Sequence, residues 1–157
     1  MAKHYRLTIW RKIGNVWFRS LLRIGLAPRS YYLLTVPGRK SGQPRSTPVT
    51  LVETGVGRWL VAPYGTVSWV HNVRAAGEVT LSRGRQSETL RAVELDPDRS
   101  APVLKAYLSE NPITRSFFDV TADSPLDAFR AEAPRHPVFA LGELVAAPIV
   151  AAGDSSE

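Results

Sequence analysis

Apolar and polar positions change with a period of two in most of this chain, and with a period of three to four in a few shorter stretches. Tyr31 to Val36 (YYLLTV) and Arg45 to Glu53 (RSTPVTLVE) are rich in β-branched and aromatic residues and predict two strands, with Gly38, Gly42 and Pro44 in the connection between them. Gly55-Val56-Gly57 then predicts a hairpin turn, and Arg58 to Pro63 (RWLVAP) runs back antiparallel. Glu78 to Arg83 (EVTLSR) and Arg85 to Leu95 (RQSETLRAVEL) alternate on either side of Gly84, and Pro137 to Leu144 (PVFALGEL) is a last strand.

Helical spacing interrupts this pattern. Ser68 to Ala76 (SWVHNVRAA) predicts a short helix with Ser68 placed to cap it, Trp69, Val70 and Val73 facing inward, and Gly77 as its stop. Asp96-Pro97 opens a longer helix to about Glu110, with Val103, Leu104, Tyr107 and Leu108 as its apolar stripe. Asn111 to Arg135 is a helical or irregular excursion carrying Phe117, Phe118, Leu126 and Phe129. Ahead of the first strand, Trp10, Ile13, Trp17, Leu21 and Ile24 recur at helical spacing with Lys12, Arg19 and Arg23 opposite, and Gly25 and Pro28 end the run. About six antiparallel strands with so few helices must close or stack to hide their edges, so the fold expected is mainly β (α+β): a small barrel.

Composition narrows the partners. The net charge is +6, yet residues 1–29 hold seven Lys/Arg and no acid, while the other 128 residues hold 13 Lys/Arg against 14 Asp/Glu. The basic excess thus belongs to the N-terminal segment, and a nucleic-acid partner is not expected. That segment has two readings: its stripe packs on the body of the domain, or its tryptophans and cations lie on an anionic membrane surface as a peripheral contact. No apolar run approaches the roughly 18 residues of a spanning helix, and no secretory signal is recognisable. The absence of cysteine excludes disulfides and thiolate chemistry and is compatible with a cytoplasmic setting, possible contact with the inner face of the cell membrane apart. His4, His71 and His136 are too scattered for a metal site. No Gly-x-Ser-x-Gly elbow marks a hydrolase.

The connection Gly38-Arg39-Lys40-Ser41-Gly42-Gln43-Pro44-Arg45 carries the most specific chemistry. Two glycines that can adopt positive φ let a ligand approach the main chain, and Arg39, Lys40 and Arg45 supply charge and directional donors, the combination a phosphorylated ligand needs. The competing reading is a sheet edge protected by charge and proline. The order of residues is not that of a P-loop, and a strand follows where that motif needs a helix.

The run Thr35 to Val49 (TVPGRKSGQPRSTPV), then Val61-Ala62-Pro63-Tyr64-Gly65, then Ser68-Trp69-Val70-His71-Asn72-Val73 together resemble the deazaflavin-dependent nitroreductase family, over roughly seven-tenths of the chain. The resemblance implies a split β-barrel of the FMN-binding-like superfamily, with coenzyme F-420 as a two-electron carrier. Carried over by position, it puts Arg39, Lys40 and Ser41 on the coenzyme's phosphate and acidic tail, with Arg45 beside them. Ser46, Thr47, Pro48, Val49 and Thr50 would run under the deazaflavin ring. Val61, Ala62, Pro63 and Tyr64 would form a second wall, and Ser68, Trp69, Val70, His71 and Asn72 would close the pocket at a helix start. The implied division is 1–29 as a basic amphipathic helix, 30–148 as the deazaflavin-binding barrel and 149–157 as a disordered tail.

Two departures qualify the activity. Many members of the family carry lysine where this chain has Tyr64, and one charged hydrogen bond of about 1.5–3 kcal/mol corresponds to roughly 10- to 150-fold in affinity. Weaker coenzyme binding is the expectation. Asp119 to Arg135 contains no tyrosine, where nitro-reducing relatives place several, so a different electron-poor acceptor (quinone, enone or other nitro compound) is expected. Tyr64 and Tyr107 are the candidate proton donors. The alternatives are FMN as cofactor in an oxidase-like relative, and a non-catalytic lipid or fatty-acid carrier at the membrane. Oligomeric state is left open.

Overall fold

A computed structural model describes residues 31–143 of the chain. The stripe between residues 10 and 24 and the tail from residue 149 lie outside the described residues. Six strands form one sheet: β1 (Tyr31–Pro37), β2 (Pro44–Thr54), β3 (Gly57–Val61), β4 (Glu78–Arg83), β5 (Gln86–Glu94) and β6 (Val138–Glu143). All pairings are antiparallel, in the order β1-β2-β3-β6-β5-β4, and β4 pairs back onto β1 to close a barrel. Closure removes the exposed edges that so many antiparallel strands would otherwise present. The expected barrel class is therefore the observed one.

The period-two pattern divides the side chains between two cores. Leu34, Val36, Val49, Leu51, Leu60, Leu81, Leu90 and Phe139 point into the barrel and are buried together. Their strand neighbours Val52, Val61 and Val138 point outward instead, beneath a helical layer. That layer comprises α2 (Pro97–Glu110), a 3-10 turn at Pro112–Phe117, α3 (Leu126–Glu132) and a 3-10 turn at Ala133–Arg135. Val103, Leu104, Tyr107, Leu108, Phe118 and Phe129 are among its buried residues, so four positions of the expected α2 stripe and two phenylalanines of the expected excursion seal the second core. Leu126, by contrast, is 47% exposed. The last helix, α1 (Ser68–Ala76), plugs one end of the barrel with Val70 and Val73, both wholly buried.

Local chemistry sets the boundaries. Asp96 caps α2, its carboxylate accepting the Arg99 N–H at 2.8 Å, and Pro97 follows at the first helical position. Gly77 ends α1 in the left-handed region (φ 71°), returning its N–H to the Val73 carbonyl. β3 stops at Val61, two residues earlier than the pattern predicts, because Pro63 has no N–H to give and the chain reverses through Gly65 at φ 87°. β6 likewise begins after Pro137, whose carbonyl accepts the Ala62 N–H at 2.9 Å.

Candidate functional site

The β1–β2 connection folds as a tight loop on its own main chain. Gly38 N–H donates to the Gln43 carbonyl and Gly42 N–H to the Gly38 carbonyl, both at 2.8 Å, while Ser41 Oγ accepts the Gln43 N–H at 3.2 Å. Gly42 takes the expected left-handed conformation (φ 69°). Gly38 does not, and its glycine requirement is steric: a Cβ there would come within 2.8 Å of Ser41 Oγ. Arg39, Lys40, Ser41 and Arg45 are all exposed on this loop.

Asn72 joins the loop to α1. Its side chain is buried, and Oδ1 accepts both the Arg39 N–H at 3.1 Å and Arg39 Nη1 at 3.0 Å. Arg39 Nη1 also lies 3.4 Å from the Ser68 carbonyl. The cationic loop is thereby fixed against the start of α1. Ser68 does not cap that helix: Val67 occupies the cap position, no side chain accepts from the first turn, and Ser68 is the first helical residue. An uncapped helix start with no acid in its first turn leaves main-chain N–H groups and the positive end of the helix dipole available to an anion.

Between the loop and the opening of the barrel runs a strand with one ladder neighbour. β2 pairs with β1 from Pro44 to Thr50, whereas the β2–β3 ladder begins only at Leu51 opposite Leu60. Among the described residues, positions 47–50 thus have β1 alone as a ladder partner. Ser46 Oγ lies 2.8 Å from Thr35 Oγ1 on the β1 side. Val49, Val61, Ala62 and Val70 are core side chains, so only their main chain can face a ligand. Pro48, Pro63 and Trp69 are half-buried and His71 is exposed, and the Trp69 ring packs 6.3 Å from Phe139.

The two tyrosines lie in contrasting surroundings. Tyr64 is 38% exposed, its ring meeting Phe117 edge-on at 4.7 Å. Tyr107 is 2% exposed in the second core, and burial pushes its hydroxyl up to about 12, opposed by Thr50 and Thr114 and reinforced by Tyr64 and Tyr31. Tyr31, Tyr64 and Tyr107 are therefore electrostatic neighbours beside Thr50.

A charged cluster behind the Ala62–Pro63 backbone was missed by sequence reasoning. Glu132 is buried, with Oε1 2.9 Å from His136 Nε2 and accepting the Asp119 N–H at 3.2 Å, and Oε2 accepting Arg135 Nη2. His136 stacks on Phe118 at 3.9 Å, its ring lies against the Ala62–Pro63 backbone, and its Nδ1 is buried with no hydrogen-bond partner of normal geometry. Only the four-residue spacing of Glu132 and His136 could have signalled the pair. Burial lowers the His136 pKa, against the opposing pull of Glu132. With the folded value depressed, the unfolded chain binds the extra proton, so this group's stabilisation is present above about pH 6.5 and is lost as pH falls through the folded value. The urea midpoint is expected to drop between about pH 7.5 and 5.5, and His136→Asn to flatten that drop.

Among the described residues no three His, Asp or Glu side chains group as a metal site, and no helix is long and apolar enough to cross a membrane. Six antiparallel strands closed into a barrel, with a cationic loop set against an uncapped helix start, make a site suited to an anionic ligand. A sequence model described as F420H(2)-dependent quinone reductase matches residues 20–123, and the chain belongs to that family. The protein is accordingly a reductase, and coenzyme F-420 is its cofactor, as the resemblance implied.

A solved structure described as an F420-H2 dependent reductase is similar at 26% identity and TM-score 0.51, over 72% of this chain and 94% of that one. Another, described as a domain-swapped dimer, is 23% identical with TM-score 0.53, over 84% and 96%. The heme storage protein HutZ from Vibrio cholerae shares the fold at 13% identity and TM-score 0.51, over 89% and 93%. No curated protein sequence matches this chain.

Proposed function

We propose that the protein transfers a hydride from reduced coenzyme F-420 to an electron-poor acceptor, a quinone before an enone or a nitro compound, with the coenzyme laid along the single-partner stretch of β2. The reading is carried by one observation: the Arg39–Asn72 tie sets three cations, an uncapped helix start and that stretch of strand side by side. These groups fit an acidic, phosphate-bearing coenzyme with a flat ring.

In this reading Lys40, Ser41 and Arg45 hold the phosphate and acidic tail, Arg39 shares that charge while fixing the loop, and the first-turn N–H groups of α1 meet the anion. The main chain from Ser46 to Thr50 supports the ring, and Val61 to Tyr64 with Trp69 wall it in. The coenzyme when bound supplies the hydride. The residues around it orient it, exclude water and hold the proton that completes the reduction. Tyr64, at the mouth, is the better placed donor, since Tyr107 is enclosed and keeps its proton to about pH 12.

A second reading has its own observation. An apolar cleft of about 390 Å³ lies between α2 and the β2–β3 hairpin, lined by Val52, Trp59, Leu95, Pro102, Val103 and Ala106 among others, towards the opposite end of β2 from the cationic loop. Such a cleft suits hydrocarbon rather than an anionic coenzyme, and favours a lipid carrier. Titrations with coenzyme F-420 and with FMN, followed by solvent extraction of the purified protein, separate the two. Micromolar deazaflavin binding with a quinone-dependent loss of its reduced form supports the reductase. Copurified fatty acid with no deazaflavin binding would falsify it.

The residue ranges 1–29, 30–148 and 149–157 remain our proposed division of the chain. Vesicle flotation with and without residues 1–29 tests the membrane contact.

A further inference from the structure

We propose that Glu132 is a positioning residue which, through His136 and Arg135, holds the Ala62–Gly65 bend and with it Tyr64 at the ring end of the coenzyme site. Residues 135–137 touch that bend three times. The Pro137 carbonyl accepts the Ala62 N–H at 2.9 Å. The His136 ring faces the Ala62–Pro63 backbone with Phe118 stacked on it. Gly65 packs beside the Arg135 carbonyl, an added Cβ standing in ordinary contact with it at 3.4 Å, while its φ of 87° is what excludes most other residues. The bend thus copies the position of the segment behind it.

Glu132 anchors that segment. Its side chain is 2% exposed and both oxygens are engaged, Oε1 with His136 Nε2 and the Asp119 N–H, Oε2 with Arg135 Nη2. Arg135 Nη1 reaches on to Asp119 Oδ2 at 2.6 Å, closing the network across the start of the stretch that follows Phe117 and Phe118. Tyr64 leans on Phe117, so both sides of its ring environment are tied to the same carboxylate. A buried ionic cluster adds little net stability over well-packed apolar side chains, and the role proposed for this one is to fix a single arrangement of the groups it joins. Here the arrangement fixed is the wall beside the proposed hydride-transfer site.

The catalytic consequence rests on the coenzyme reading; the positioning claim does not. The test uses the full chain labelled with 3-fluorotyrosine, whose five tyrosines allow Tyr64 to be assigned by Tyr64→Phe. Glu132→Gln keeps the shape and removes the charge. Arg135→Gln changes a half-exposed side chain and serves where the first variant fails to fold. In both, the Tyr64 resonance is expected to shift and broaden while that of Tyr32, bonded to Glu53, stays in place. Hydride transfer is expected to slow about tenfold in kcat, with the coenzyme Kd changed less than about twofold, because misplacing a wall of the site costs turnover while the cationic loop is untouched. An unmoved Tyr64 resonance in folded variants, or kcat unchanged despite a lowered Tm, overturns the proposal. Should the unaltered protein not bind coenzyme F-420, the coenzyme reading fails and the fluorine signal still decides the positioning claim.

Discussion

Replacing Arg39 and Lys40 together by alanine is expected to weaken coenzyme F-420 binding at least tenfold, measured by fluorescence titration of the deazaflavin. Both side chains are exposed, so each charged contact sits at the lower end of the roughly 1.5–3 kcal/mol range for hydrogen bonds to charged groups. Since a factor of ten is about 1.4 kcal/mol, one such contact already reaches the threshold. Arg39 adds a second effect, because its two bonds to Asn72 hold the loop on α1. Its main-chain N–H survives the substitution while the guanidinium is lost, so the loop keeps one anchor and gains freedom. Arg39→Lys separates the effects: the charge remains but the planar guanidinium, whose Nη1 reaches both Asn72 Oδ1 and the Ser68 carbonyl, is gone. It is expected to lose less than the double variant. Raising the salt concentration should weaken the unaltered protein more steeply than the double variant, which keeps Arg45, since exposed charges are screened within about 10 Å at 0.1 M. Unchanged affinity in the double variant would show that the loop does not hold the coenzyme.

The strands were legible because each is read by its neighbours on both faces. Alternation in EVTLSR has one meaning in a sheet with a packed interior, and the β-branched run RSTPVTLVE forms a strand buried on both faces from Val49 to Val52. The cationic loop was legible for a different reason: its glycines, proline and charges are consecutive, so their chemistry is local. What could not be read depends on contacts across the chain. Asn72 reaches Arg39 over 33 residues, and no spacing rule links a helix interior to a distant loop. Ser68 was assigned as a cap by its residue type, but the helix starts one residue earlier than that assignment needs, and Val67 stands at the cap. Glu132 and His136 read as ordinary polar residues in an irregular stretch, because only the packing of Phe118 and the turn at Pro63 encloses them. Gly38 can adopt positive φ but does not use that freedom, and its constraint is instead the nearness of Ser41 Oγ. The fold was therefore carried by periodicity, and the site's internal bracing by tertiary contacts that periodicity does not encode.

Phe139→Ala is expected to destabilise the fold by about 3–5 kcal/mol, a large share of the roughly 5–15 kcal/mol by which domains are stable. Phe139 is 1% exposed on β6, opposite Leu60 on one side and Glu94 on the other, with its ring among Leu34, Leu81 and the other side chains inside the barrel. A closed barrel cannot slide its strands together to fill the void without breaking ladder bonds, which places the cost towards the upper end of that range. For a domain of this size each kcal/mol moves the Tm by about 2–4 °C, so a fall on the order of 10 °C or more is expected in a thermal melt. The change also reaches the site. Trp69 on α1 lies against the Phe139 ring, and α1 carries both Asn72 and the uncapped helix start. Coenzyme affinity, measured well below the lowered Tm, is therefore expected to weaken severalfold, whereas Leu104→Ala in the second core should cost comparable stability and leave affinity nearly unchanged. If the two variants lower affinity equally at matched stability, the barrel interior and the coenzyme site are not coupled through Trp69.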